Sequence, residues 1–241
     1  MKELYDSYYE EIFSQNKSQR LDKKSYDLIV RKYKWNYDRF FKNIPKDAKI
    51  LDIGCGLGQF LYYLKKNGFN KIRGIDISKN QVEIALQMQS QLDIIYIEDV
   101  TDYLSQHIGE YHVITINDVL EHIEKVDLIP FLKKIYNALT TEGVLIVKTI
   151  NSAYPLGNFA RYQDLTHTIS FHEKSLIQLL RHIGFKDIKC YQEEIGIYNI
   201  LFLIKKIIVI IVRFFLRTLI YFSESDWQRI ISINIISIAK K

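Results

Sequence analysis

Along this chain the spacing of apolar positions switches repeatedly between a helical period and short unbroken runs. In the polar, tyrosine-rich first 46 residues, SYDLIVRKYKWNYDRFFKNI carries apolar and aromatic side chains at near-helical spacing, which predicts helices there. From Ala48 the pattern changes. AKILDIG, GQFLYYLKKNG, KIRGID and KNQVEIALQMQ alternate β-branched runs with helical ones, and LDIIYIED, HVITIN, IPFLKKIYNAL and GVLIVKTI continue the alternation, predicting five strands by residue 150. HEKSLIQLLRHIGF reads as a helix, and FKDIKCYQEEIGI and RIISINIISIAKK as two final strands. The expectation is an α/β fold with a doubly wound, mostly parallel sheet.

One segment does not fit that rhythm. Residues 198–222, YNILFLIKKIIVIIVRFFLRTLIYF, are longer and more apolar than a connection between two strands requires, and they hold Lys205, Lys206, Arg213 and Arg217 without any acid. At 100° per residue, Lys206, Arg213 and Arg217 fall within an arc of roughly 40°, predicting an amphipathic helix whose basic stripe faces water. Four cations interrupt any spanning segment, so the expectation is surface contact with an anionic membrane. Packing on the domain or on a second subunit, as in a homodimer, is the competing account.

Charge and composition remove several classes. The net charge of +5 is concentrated in residues 198–222, so the spread basic face of a nucleic-acid binder is not expected. Two cysteines, Cys55 and Cys190, make neither a disulfide framework nor a zinc site. The charged N-terminus MKELYDSYYEEIF lacks the apolar stretch of a signal peptide, so a cytoplasmic protein is expected, peripheral at the inner face of a membrane if the apolar segment binds there.

The candidate chemistry starts at ILDIGCGLGQFL. A strand turning tightly into a helix presents unpaired N–H groups, and Gly54, Gly56 and Gly58 let a ligand approach the backbone. The dinucleotide fingerprint fails, because Gln59 stands where its third glycine belongs, and no Gly-Lys-Ser/Thr completes a P-loop. Asp76, in GIDIS at the tip of the second strand, is placed to accept hydrogens from both hydroxyls of a ribose. Asp99, in IEDV at the tip of the third, is placed to accept from an adenine amino group while Val100 covers the ring. Ser78 and Gln81 have the spacing of a capping box. Together these describe an edge for an adenosine group without phosphates.

LDIGCGLG, GIDIS, IEDV, INDVLEHI and GVLIVKTIN, in this order, resemble the motifs of class I S-adenosylmethionine-dependent methyltransferases over roughly residues 45–195. The resemblance implies a seven-stranded sheet with an antiparallel last pair. Residues 1–46 then read as a helical cap and residues 47–241 as a methyltransferase domain, interrupted by the helical insertion 198–222. The resemblance also implies S-adenosylmethionine as cofactor and S-adenosylhomocysteine as product. Asp52 and Gly54, Gly56 and Gly58 would surround the methionine end, Asp76 would take the ribose and Asp99 with Val100 the adenine. Asn117 would lie beside the methionine portion, and Gln59 and Ile77 would complete the cofactor set.

Methyl transfer to a hydroxyl needs in-line alignment and a base. Of six histidines, His112 and His182 read as structural or exposed. His122, after the fourth strand, and His167, in the loop after the fifth, read as catalytic candidates, His122 having a packing role as its alternative. In that loop RYQDLTH resembles a stretch of methyltransferases encoded with bacterial surface-polysaccharide genes, capsule or O-antigen. Accordingly His167 is the expected base, Asp164 orients it or the acceptor, Arg161 binds an anionic substituent, and Tyr162 and Thr166 contact a polar glycan-type acceptor. The LEH in INDVLEHI is shared with enzymes of quinone biosynthesis, which keeps a quinone-type or other small-molecule acceptor as the second reading. Two non-catalytic readings, a cofactor-binding scaffold and a membrane adaptor, stand beside them. No Asn/Asp-Pro-Pro-aromatic turn follows the fourth strand, so no DNA base is expected as acceptor. Asp118, Glu121 and Asp164 show no recognisable metal-ligand spacing, so no metal is expected. Tyr8, Tyr9 and Tyr33 are the aromatic residues of a lid expected to close over the cofactor.

Overall fold

The structure is a computed structural model that describes residues 23–155, 157–224 and 229–241. Tyr8 and Tyr9 of the expected lid lie outside the described residues. Helix α1 (Lys23–Phe41) precedes β1 (Ile50–Ile53), α2 (Gln59–Lys66), β2 (Ile72–Asp76), α3 (Lys79–Met88), β3 (Ile94–Tyr96), α4 (Val100–Ser105) and β4 (Tyr111–Asn117). A 3₁₀ turn at Leu120–His122 leads to α5 (Leu128–Ala138), β5 (Leu139–Ile150), α6 (Gly157–Tyr162), α7 (Glu173–Ile183), β6 (Lys186–Gln192), α8 (Ile200–Glu224) and β7 (Asn234–Lys240).

The seven strands form one sheet in the order β3-β2-β1-β4-β5-β7-β6, with β7 antiparallel to both of its neighbours. Alternate residues of the central strands serve opposite faces. Leu51, Ile53, Ile114, Ile116, Leu145 and Val147 bury against α4, α5 and α7, while Ile50, Val113, Ile146 and Ile236 bury against α1, α2 and α3. Both faces are therefore covered, as the uninterrupted apolar runs of the sequence require. The strand order reverses beside β1, whose two parallel neighbours are β2 and β4. Ligands of open α/β sheets bind at the carboxyl ends of strands at this switch point.

Helix α1 is anchored rather than hinged over its described length. Tyr33 and Tyr37 make edge-on contacts with Phe60 at 5.0 and 4.9 Å, and the buried Tyr26 hydroxyl donates to the Leu57 carbonyl at 2.6 Å. Tyr33 is thus part of an aromatic layer between α1 and α2.

Helix α8 inverts the polarity expected from its sequence. The basic stripe faces the domain, not water: Arg213 is 8% exposed and donates to Glu194 Oε2 at 3.1 Å and to the Glu193 carbonyl at 3.0 Å. Arg217 donates to Gln192 Oε1 and to the Arg229 carbonyl, and Lys206 Nζ lies 4.6 Å from the Trp35 ring. The cause is the short stretch after β6, whose carboxylates and carbonyls offer charge-assisted partners that outweigh hydration of the guanidinium groups. The apolar side of α8 is left on the surface.

Candidate active site

Three glycines with left-handed backbone shape the turn from β1 into α2: φ is 69° at Gly54, 50° at Gly56 and 71° at Gly58. They differ in what a side chain would meet. A Cβ on Gly54 would stand 2.3 Å from Val119 Cγ2, and one on Gly58 would stand 2.6 Å from Ile94 Cδ1. Gly58 therefore lets α2 pack on β3, the task that the third glycine of the dinucleotide pattern performs one residue later. Over Gly56 lies the Gln81 side chain, whose Oε1 would be 2.8 Å from a Cβ. This corrects the expected reciprocal capping box. Ser78 does cap α3 by accepting from the Gln81 N–H, but the Gln81 side chain turns to the glycine loop. Gln59 opens α2 beside that loop.

Asp76, at the end of β2, accepts from the Gly56 N–H at 2.7 Å and from the Ser78 N–H at 2.8 Å. Burial raises its carboxyl above the ordinary range, against those N–H groups. Ile77 beside it is 43% exposed at the strand edge. Asp99 is an exposed N-cap: Oδ1 takes the N–H groups of Thr101 and Asp102 and the Thr101 hydroxyl. That hydroxyl and the Asp102 N–H hold its carboxyl below the usual value. Val100, the first residue of α4, is half-buried against the core. The strand tips thus bring Asp76, Ile77, Asp99 and Val100 to one edge, as expected.

Asp52 is deeply enclosed. It is 2% exposed and accepts from Thr115 Oγ1 at 2.6 Å and from Asn117 Nδ2 at 3.4 Å, while Asn117 Oδ1 accepts from the Tyr37 hydroxyl at 2.5 Å. Burial pushes its carboxyl up to about 7, opposed by the Thr115 and Asn117 hydrogen bonds. Thr115 and Tyr37 were not found from the sequence. Thr115 carried a signal, since a polar residue inside the β-branched run HVITIN must find a partner when buried; Tyr37 carried none.

Beyond β4, Asp118 stands in the left-handed region (φ 57°), held by Lys148 Nζ at 2.5 Å from Oδ2. Burial would lower the Lys148 ammonium, but Asp118 leads the charges that keep it well above its ordinary value. Glu121 is 1% exposed and accepts from Thr149 Oγ1 at 2.8 Å; burial first, and Asp118 second, push its carboxyl up to about 8. The Glu121 carbonyl accepts from the Thr168 N–H at 2.7 Å, which ties the turn after β4 to the loop after β5.

That tie brings His122, Asp164, Thr166 and His167 together. Thr166 Oγ1 donates to Asp164 Oδ1 at 2.7 Å and lies 2.8 Å from His122 Nδ1. With its one hydrogen directed to the carboxylate, Thr166 Oγ1 accepts from the His122 ring. His167 Nδ1 lies 3.1 Å from the Ala160 carbonyl, and its Nε2 lies 3.8 Å from Asp164 Oδ2. The two rings are 4.7 Å apart. Burial and then His167 push the His122 imidazole down to about 4. Among the described residues, His122, Asp164 and His167 are also the group whose ligand atoms lie close enough together, within 4.8 Å, to hold a metal ion. Arg161 is engaged inside its own loop, donating to the Thr168 carbonyl at 2.5 Å. Tyr162 is 73% exposed, and Phe159 and Leu165 beside it are as open.

Two buried carboxyls raised far above their unfolded values make stability fall with pH. The unfolded chain releases these protons near pH 4, whereas the folded chain holds them to about 7 at Asp52 and about 8 at Glu121. Stability is therefore fully present below the unfolded values and declines as pH rises through that window. The unfolding midpoint should drop by roughly 5 °C or more between pH 5 and pH 8, less so in Glu121→Gln, as scanning calorimetry would show.

A methyltransferase-domain family model matches residues 24–189. The chain is 30% identical over 139 residues to a ubiquinone biosynthesis O-methyltransferase of Rickettsia bellii, covering 56% of this chain and 54% of that one. It spans about half the length of the curated relatives it matches. A crystal structure of an S-adenosylmethionine-dependent methyltransferase from Archaeoglobus fulgidus superposes with a TM-score of 0.68 at 22% identity, covering 90% of this chain and 95% of that one. Phosphoethanolamine N-methyltransferase 2 of Haemonchus contortus, solved with S-adenosylmethionine, gives 0.58 at 15% identity, covering 98% of this chain and 60% of that one. With the family's sheet order, its glycine turn and its acidic strand tips all in place, this chain belongs to the methyltransferase-domain family.

Proposed function

We propose that the chain moves the methyl group of S-adenosylmethionine to a hydroxyl oxygen, with His122 as the general base. Asp76 would receive the ribose and Asp99, through Oδ2, the adenine amino group. Asp52, Asn117, Gln59 and the Gly54–Gly58 turn would receive the methionine end. S-adenosylmethionine would supply an electrophilic methyl group whose C–S electrons return to sulfur as the acceptor oxygen bonds to carbon, and the His122 imidazole would take the hydroxyl proton. The observation that carries this reading is the chain Asp164–Thr166–His122, which orients the imidazole and brings a carboxylate near the imidazolium that would form. Both nitrogens of His167 face groups of its own loop, so it becomes a positioning residue.

For the acceptor we favour an apolar-bodied, quinone-type phenol. The name of the Rickettsia relative supports it, and so do Phe159, Tyr162 and Leu165, 72–85% exposed around the Asp164–His167 loop. A glycan-type acceptor has less to meet, because Arg161 and Asp164 are occupied within the loop. Transfer of labelled methyl to phenols with apolar tails, compared with lipid-linked and nucleotide-linked sugars, tests the choice. Turnover with the sugars alone would overturn it. The base makes a separate prediction. Since His122 stays unprotonated down to about 4, kcat/KM should hold level to about pH 5 and fall below that. An acid limb near 6.5 would point to another histidine.

A further inference from the structure

The outward side of α8 is unlike the rest of the surface. Leu201, Ile204, Ile208, Ile211, Phe215 and Phe222 are 47–80% exposed and lie within about 80° of one another around the helix, centred opposite Arg213. With Ile210 and Val212 at its margins, the exposed apolar arc spans about 200° over a 25-residue helix, roughly 37 Å long.

Width argues for the occupant. A second helix covers one narrow seam, so a second copy seated on α8 would leave both flanks of this arc in water. A lipid surface covers the whole arc at once. Charge agrees. Residues 198–223 contain no acid, and Glu193 and Glu194 are turned inward onto Lys32 and Arg213. The rim is basic and aromatic: Lys205 is exposed, Lys206 sits on the 42% exposed Trp35, and Arg31 acts electrostatically on Tyr198 at the start of α8. Cations and tryptophan at the boundary of an apolar helix face suit anionic headgroups. Here the domain itself, clamped through Arg213 and Arg217, replaces the polar face of an interfacial helix. No helix among the described residues is long and apolar enough to cross a membrane.

We propose that α8 lies in the plane of an anionic bilayer, its apolar arc among the acyl chains and Lys205 with Arg31 on the headgroups. This does not rest on the methyl-transfer reading. The test is co-sedimentation of the full chain with phosphatidylcholine vesicles, with and without phosphatidylglycerol. Binding should be at least tenfold stronger with phosphatidylglycerol and weaken with salt. It should be lost in Ile208→Asp/Ile211→Asp and reduced several-fold in Lys205→Glu, both with the unfolding midpoint of the parent. Equal binding to both vesicle types would overturn the headgroup contact. Absence of binding to either would overturn the proposal, and a dimer in analytical ultracentrifugation that the aspartates dissociate would assign the face to a second copy.

Discussion

Replacing His122 by alanine is expected to lower kcat by about 10²–10⁴-fold while leaving the affinity for S-adenosylmethionine, measured by calorimetry, within about twofold. The reason is positional. His122 lies five residues beyond Asn117, the last residue of β4, and is held by Thr166, itself bonded to Asp164, from the loop after β5, so its loss removes the proposed proton acceptor without touching Asp52, Asp76 or the glycine turn. Thr166→Val should lower kcat less, since the imidazole remains but its orientation is no longer held. Added imidazole should restore part of the His122→Ala rate and none of the Thr166→Val deficit, which separates a base from a packing residue. His167→Ala removes the second cause of the low His122 value, so the acid limb of kcat/KM should move upward. Loss of turnover in His167→Ala as complete as in His122→Ala, with no displaced limb, would return the base to His167.

The second large effect is expected at Gly54. Alanine there must adopt φ near 69° and would bring Cβ to 2.3 Å from Val119 Cγ2, so the turn or the β4 edge has to move. The left-handed backbone costs roughly 1 kcal/mol and the overlap about 1–3 kcal/mol more, and cofactor affinity should fall at least tenfold because the displaced turn is the proposed methionine site. Combining Gly54→Ala with Val119→Ala should recover the overlap and not the backbone part. Gly56→Ala should cost less stability, as the atom it meets is the end of the flexible Gln81 side chain. Denaturant unfolding of the three variants reads this directly; a Gly54→Ala protein as stable as the parent would show that the turn is not as tight as described.

Much of the fold was legible because strand and helix periods are local properties of the chain. The runs from AKILDIG to GVLIVKTI became β1 to β5, and the two terminal runs became β6 and β7, shortened to Lys186–Gln192 and Asn234–Lys240. The six-residue helices α4 and α6 were missed, being too short to show a period. The acids at strand tips were legible for the same reason: Asp76 and Asp99 each end a readable run. The Gly56 N–H on Asp76 was not, since it arrives through a turn whose geometry no spacing predicts.

By itself the sequence determined the parallel sheet, the glycine turn and the acidic strand tips, all of which follow from residues near one another in the chain. The tertiary structure alone decided which histidine Thr166 holds, how deeply Asp52 is enclosed and which side of α8 meets the surroundings. Each of those depends on groups from separate elements: His122 and Thr166 are 44 residues apart, Asp52 and Thr115 are 63 apart, and Arg213 turns inward because Glu194 waits there. Pattern assigns an apolar and a charged side to a helix, but only the charges packed against it determine which side faces out.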